Sequence, residues 1–242
     1  MESQIGSQLQ TIGNLLQPQG RENLFDKKCE VCERPFTGQS QREKFPICSR
    51  HCVNIKQRYF NYHQNPSLAE RIILKQVGEH FSKAMLKDMS DLPFAKKLQQ
   101  FTKYRDLFVH GNIGSGKTFA MAALLRLLTY KGYECIRINY DRFIIEYCAR
   151  PFAEKSKLLD AHINADKLFI DDLCLSRDQQ SQFKYEIFYL LLNSRQEKDL
   201  STYISTNNSL EEIGEIFDAR IKSRLEQAFI YQMTGDDKRK VK

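Results

Sequence analysis

Gly111-Asn112-Ile113-Gly114-Ser115-Gly116-Lys117-Thr118 fits the pattern G-x-x-x-x-G-K-[ST] at every fixed position. Glycines at this spacing let a backbone curl so that its N–H groups face a phosphate, and a following helix adds its N-terminal dipole. Lys117 supplies a point charge for the β- and γ-phosphates of a nucleotide, and the Thr118 hydroxyl is a ligand for Mg²⁺. About 55 residues downstream, Lys167-Leu-Phe-Ile-Asp171-Asp172-Leu has the form of a buried strand ending in two carboxylates. Asp171 is placed to hold Mg²⁺ through water, and Asp172 to orient an attacking water. Asn207 ends another apolar strand, where an amide can touch the γ-phosphate or its water. Arg220 and Arg224 lie four apart and share one helix face. Alone, such a pair is a weak signal.

A second set of residues suits metal chemistry. Cys29-Glu-Val-Cys32 is separated by fifteen residues from Cys48-Ser-Arg-His51-Cys52. Four soft ligands in two close pairs match a structural Zn²⁺ site of the treble-clef kind. The fourth ligand is Cys52 or His51, and Cys52 is favoured because a thiolate matches the other three. Residues 26–64 are too few to carry much core of their own, so a metal would hold them together. Cys135, Cys148 and Cys174 are scattered and read as core or surface thiols.

The elements that must position these residues are legible from local pattern. Leu107-Phe-Val109 reads as a strand before the glycine loop, and the apolar run from Phe119 as a helix after it. Strands are expected over Glu134–Tyr140, Lys167–Leu173, Ser201–Thr206 and Ala228–Thr234. Helices are expected over Asp141–Arg150, Glu154–His162 and Asp178–Glu197, with Ser209 capping another that starts at Leu210. Strands alternating with helices imply a parallel sheet. Upstream, helices are expected from Ser49 to about His63, from Pro66 to about Lys75 or Glu79, and over Phe94–Thr102, with Ser90, Asp91 and Pro93 as breakers. Lys56, Arg58, Tyr59, Phe60, Tyr62 and His63 interleave cations with aromatics. That mixture suits either single-stranded nucleic acid or the finger's own core.

The 242 residues allow one large domain with a small appendage, and 41% hydrophobic content is enough for an ordinary core. A formal net charge of +7 is compatible with a polyanionic partner. Seven cysteines without a secretory signal argue for metal ligation or buried thiols rather than disulfides. No apolar run approaches the ~18 residues of a membrane span, so no membrane partner and a cytoplasmic location are expected.

Taken in order, Gly111-Asn-Ile-Gly-Ser-Gly-Lys-Thr118, Phe169-Ile-Asp-Asp-Leu173, Leu192-Asn-Ser-Arg195, Ser205-Thr-Asn207, Arg220-Ile-Lys-Ser-Arg224-Leu and Gly235-Asp-Asp-Lys-Arg239 are similar to the motifs of bacterial and phage replicative helicase loaders of the DnaC and DnaI type. These are IstB-like AAA+ ATPases of the initiator branch, and the resemblance covers roughly residues 90–239. It implies an α/β fold: a P-loop AAA+ domain with a five-stranded parallel sheet in order 5-1-4-3-2, no C-terminal lid, and here a small zinc finger in front. Asn207 would be the first sensor, Arg224 an arginine finger reaching a neighbour's ATP, Arg220 an accessory arginine, and Arg239 the terminal arginine. Many AAA+ proteins carry glutamate where Asp172 stands.

The expected organisation is a polar tail (1–25), a zinc-binding domain (26–65), a helical linker (66–90) and an AAA+ ATPase domain (91–242). The resemblance implies an ATPase using ATP, Mg²⁺ and Zn²⁺ that self-associates in the ATP state. Its partners would be a DnaB-type helicase hexamer and single-stranded DNA during replication initiation. Two alternatives remain open at this stage: a transposition helper acting on duplex DNA with a transposase, and a nucleotide-gated adaptor that does not hydrolyse ATP.

Overall fold

The computed structural model describes residues 28, 29, 31, 32, 49–101, 106–173, 182–234 and 237. The tail over 1–25, Cys48, Cys174, residues 178–181 and Arg239 lie outside them. The chain divides into two compact units, Met1–Val53 and Asn54–Lys242.

Five parallel strands form one sheet: β1 (Leu107–Gly111), β2 (Cys135–Asn139), β3 (Lys167–Leu173), β4 (Ser201–Thr206) and β5 (Phe229–Met233). Their spatial order is β2-β3-β4-β1-β5, which from the other edge is the expected 5-1-4-3-2. Every pairing is parallel, with Leu107 opposite both Tyr203 and Phe229. The sheet is covered on both faces, as parallel sheets require.

Strand alternation assigns the faces. Leu107, Val109, Phe169 and Tyr203 pack with Leu124, Leu128, Ile73 and Phe94 on one side. These come from the sheet and from α2 (Pro66–Phe81), α3 (Leu92–Gln99) and α4 (Lys117–Tyr130). Phe108, Leu168, Ile170 and Ile204 pack on the other side with Phe143, Phe188, Ile213 and Ile221. That layer holds α5 (Tyr140–Ala149), α6 (Phe152–Asn164), α7 (Gln182–Glu197), α8 (Leu210–Ile216) and α9 (Ala219–Leu225). The first helix, α1, spans Arg50–Gln64. No helix among the described residues is long and apolar enough to cross a membrane.

Caps fix the element ends that matter for the site. Ser209 forms a full capping box with Glu212, so α8 starts where expected, shortly after β4 and Asn207. Asp91 and Pro93, expected to break a helix, begin one. Asp91 accepts the Phe94 N–H as N-cap of α3, and Pro93 sits in the first turn, where its missing N–H costs nothing. α2 contains a kink at Gly78, whose φ is 74° and ψ 172°.

Buried polar ties hold the layers in register. Arg195, fully buried, donates to the carbonyls of His162, Ile163, Ala165 and Ser201 and to Thr202 Oγ1 at 2.6–3.0 Å. It thereby satisfies the carbonyl end of α6, which would otherwise be left without partners. Arg126 of α4 donates to the carboxylate of Glu70 on α2 and to the Ser82 carbonyl. On α1, Arg58 donates to the Gly132 carbonyl at 2.7 Å and pairs with Asp166. The α1 aromatics divide: Tyr62 is buried, while Phe60 is 44% exposed with Lys56 Nζ 5.5 Å from its ring centroid.

Candidate nucleotide and zinc sites

The glycine loop joins the end of β1 to the start of α4. A side chain on Gly111 would collide with the Met233 carbonyl of β5, and one on Gly114 with the Asp237 carboxylate. Gly114 also has φ +77°, a backbone conformation that favours glycine. Lys117, the first residue of α4, turns back over the loop. Its buried ammonium donates to the carbonyls of Gly111 (2.7 Å) and Asn112 (2.8 Å) and to Asn207 Oδ1 (2.8 Å). The last bond exists because β4 lies beside β1, with Thr206 opposite His110, so the residue after β4 falls next to the loop.

A cavity of about 610 Å³ opens here. Ile113, Gly114, Gly116, Lys117, Thr118, Asp172 and Asn207 line one side of it. That size suits a small-molecule site. The lining also includes His80 and Phe81 from the end of α2, and Met89 to Asp91. None of those wall residues was singled out from sequence as a site residue, because they belong to no motif and lie well upstream of the glycine loop. Ser115 Oγ is buried within the loop without a hydrogen-bond partner among the described residues. Burial pushes His110 below the ordinary histidine value, with Glu211 and Glu212 opposing.

The two carboxylates of β3 separate. The ladder with β4 is irregular between Ile170 and Leu173, and Asp172 has φ 55°. Asp172 is exposed and lines the cavity, with its N–H donating to Ser205 Oγ at 3.0 Å. Asp171 is 2% exposed and lies on the α4 face of the sheet. It accepts from Ser205 Oγ and from the guanidinium of Arg137, whose Nε is 3.1 Å away. One serine hydroxyl therefore bridges both acidic residues. Neither Ser205 nor Arg137 was singled out from sequence as a site residue.

The two arginines stand apart from their own chain's cavity. Arg224 Nη2 donates to Tyr189 Oη (2.9 Å) and Asn193 Oδ1 (2.6 Å), and the guanidinium carbon lies 4.6 Å from the Tyr189 ring centroid. Arg220 is largely exposed and reaches Asp218.

In the N-terminal unit, Cys29, Cys32 and Cys52 present sulfurs that all lie within 4.8 Å of one another. Three ligands of a tetrahedral Zn²⁺ at about 2.3 Å would sit roughly 3.8 Å apart, so the cluster fits that ion. His51 is exposed and not among the three clustered residues. Of the other cysteines, Cys135 is buried and Cys148 exposed.

Comparison with known proteins adds to this geometry. The chain is 24% identical over 172 residues to the replicative helicase loader DnaI of Bacillus subtilis (strain 168), covering 66% of this chain and 54% of that protein. It is 28% identical over 133 residues to the chromosomal replication initiator protein DnaA of Campylobacter concisus (strain 13826), covering 54% and 30%. The chain thus spans about half or less of these relatives' length. Its fold is that of a DnaC helicase loader structure (TM-score 0.56, 20% identity, 64% of this chain and 99% of that one). A DnaI structure is equally similar (TM-score 0.55, 19% identity, 64% and 90%). The family model for the bacterial DnaA ATPase domain matches residues 81–232, more than half of the chain, and the protein belongs to that family of AAA+ nucleotide-binding domains.

Proposed function

We propose that this protein is an ATPase that binds a hexameric replicative helicase of the DnaB type and helps place it on single-stranded DNA. The observation that carries the enzymatic part is the convergence of Lys117, Thr118, Asp172 and Asn207 on one cavity at the N-terminus of α4. The loader part rests on similarity to proteins named as helicase loaders.

In this reading the loop N–H groups and the α4 dipole bind the phosphates, and Lys117 neutralises charge that grows on the transferring phosphoryl group. Mg²⁺, when bound, would supply positive charge that offsets the charge of the phosphates. Thr118 and Asp171 are the residues that would hold it. Asp172, free of the strand ladder and facing the cavity, orients the attacking water. Asn207 fixes the Lys117 ammonium and presents its amide toward the same point. Arg224 serves a neighbouring subunit: its guanidinium sits on the α7/α9 surface away from its own cavity, which suits action across an interface. Cys29, Cys32, Cys48 and Cys52 hold a structural Zn²⁺ that orders the N-terminal unit.

The test uses the full chain and the host's replicative helicase. ATP-dependent co-elution of the two, with helicase transfer onto single-stranded DNA, is the expected result. ATP turnover with no helicase association would leave an ATPase and remove the loader function.

A further inference from the structure

Arg137 has no place in the motifs, yet it touches the carboxylate assigned to Mg²⁺. Three observations converge on it. First, β2 and β3 pair with Arg137 opposite Phe169 and Asn139 opposite Asp171, so Arg137 and Asp171 are diagonal neighbours on one face of the sheet. Two guanidinium nitrogens, Nε and Nη2, meet the same Asp171 oxygen, and Ser205 holds the other. A carboxylate has lone pairs to spare but only one negative charge. A guanidinium already neutralising it repels a second cation, and burial of Asp171 leaves little water to screen them.

Second, Arg137 is fastened to α2. Its backbone N–H donates to Gln76 Oε1 at 2.8 Å, and its Nη1 donates to the Gln76 carbonyl at 3.3 Å. Third, the stretch of α2 that follows Gln76 carries the kink at Gly78 and ends in His80 and Phe81, which form part of the cavity wall. A change at Arg137 therefore bears on a kinked segment that faces the nucleotide.

We propose that Arg137 is a positioning residue that holds Asp171 in the absence of a divalent cation and must yield it for Mg²⁺. The exchange is transmitted through Gln76 to the end of α2. This rests on the assignment of the cavity to MgATP. The guanidinium, touching both Asp171 and the Gln76 carbonyl, bridges β3 and α2. Once Asp171 serves the cation, the guanidinium keeps the Gln76 carbonyl and the Arg137 N–H keeps Gln76 Oε1, and the segment 76–81 responds. The cavity wall thus senses whether the nucleotide carries its metal.

The experiment titrates Mg²⁺ against a fluorescent ATP analogue bound to the full chain, with hydrogen exchange of residues 76–81 as a second readout. Arg137→Gln removes the competing charge, so the Mg²⁺ midpoint should fall on the order of tenfold, the change expected for about 1.4 kcal/mol of lost competition. Exchange over 76–81 should then no longer differ between ATP alone and MgATP. Arg137→Lys keeps a cation without the fork; it should keep a midpoint near that of the parent and lose the exchange response. An Arg137→Gln midpoint equal to the parent's overturns the proposal. If that variant does not fold, an unchanged exchange response in Arg137→Lys overturns it instead. A parent that binds no nucleotide at any Mg²⁺ concentration overturns the ATP-site assignment along with it. A parent that binds normally while the variants behave like it overturns the role of Arg137 alone.

Discussion

Lys117 and Asn207 are ninety residues apart in the chain, and Asn207 Oδ1 accepts a 2.8 Å hydrogen bond from the Lys117 ammonium. The bond ties the glycine loop to the end of β4, so the residue proposed to meet phosphate is oriented by the residue proposed to meet the attacking water. Lys117→Ala should abolish nucleotide binding in a fluorescent-nucleotide titration. Asn207→Ala should still bind and lose turnover on the order of a hundredfold, the scale of one removed polar contact to a transition state. Parental turnover by Asn207→Ala would remove its role.

Asp172 lines the cavity while Asp171 is buried and does not, so the two should behave differently on conversion to the amide. Asp172→Asn should bind ATP with near-parental affinity and hydrolyse it roughly 10²–10⁴ times more slowly, as for loss of a positioned general base. Equal single-turnover rates in variant and parent would exclude that role.

Arg224 is held by Tyr189 and Asn193 on its own chain. In the proposed role of arginine finger it would serve the next subunit, so Arg224→Ala should bind ATP normally yet lose roughly 10³–10⁵ in turnover. Mixing Arg224→Ala with Lys117→Ala, each inactive alone, should restore part of the activity, because a mixed interface pairs an intact pocket with an intact arginine. Parental turnover by Arg224→Ala alone would make it a surface arginine.

The cysteine cluster predicts one Zn²⁺ per chain by elemental analysis of freshly purified protein. Because metal binding and folding are coupled in so small a unit, chelation should make residues 26–64 protease-sensitive while the ATPase domain stays resistant. Cys52→Ser should lose the metal and His51→Ala should keep it; the reverse would reassign the fourth ligand.

Lys167, the first residue of β3, is buried, donates to Ser201 Oγ at 2.9 Å and lies 4.8 Å from the Tyr133 ring centroid. Burial lowers its pKa from 10.5 to about 8, with Cys135 and Asp166 opposing. Between pH 8 and 10.5 the unfolded chain binds this proton and the folded chain does not, so this group makes stability rise with pH across that window. Lys167→Met lacks the effect. In urea unfolding the parent should gain about 3 kcal/mol relative to Lys167→Met from pH 8 to 10.5, at 1.36 kcal/mol per pKa unit. A pH-independent difference would show that Lys167 titrates normally.

The sequence by itself determined the parts whose chemistry is local. The glycine loop, the strand before it and the helix after it lie in one short stretch, because phosphate binding needs contiguous N–H groups. Ser209 and Glu212 announce a helix start because a capping box spans only four residues. The strand order was readable only through resemblance, since which parallel strands become neighbours depends on crossovers and not on strand composition. Tertiary structure alone decided what meets across the sheet. Arg137 reaches Asp171 because of the β2–β3 register, and Arg224 reaches Tyr189 and Asn193 because α9 packs against α7. Asp91 and Pro93, expected as breakers, begin a helix through a local contact instead, the Asp91 carboxylate accepting the Phe94 N–H three residues on. Spacing along the chain carries the first kind of information; the second depends on partners more than thirty residues away, which no local pattern encodes.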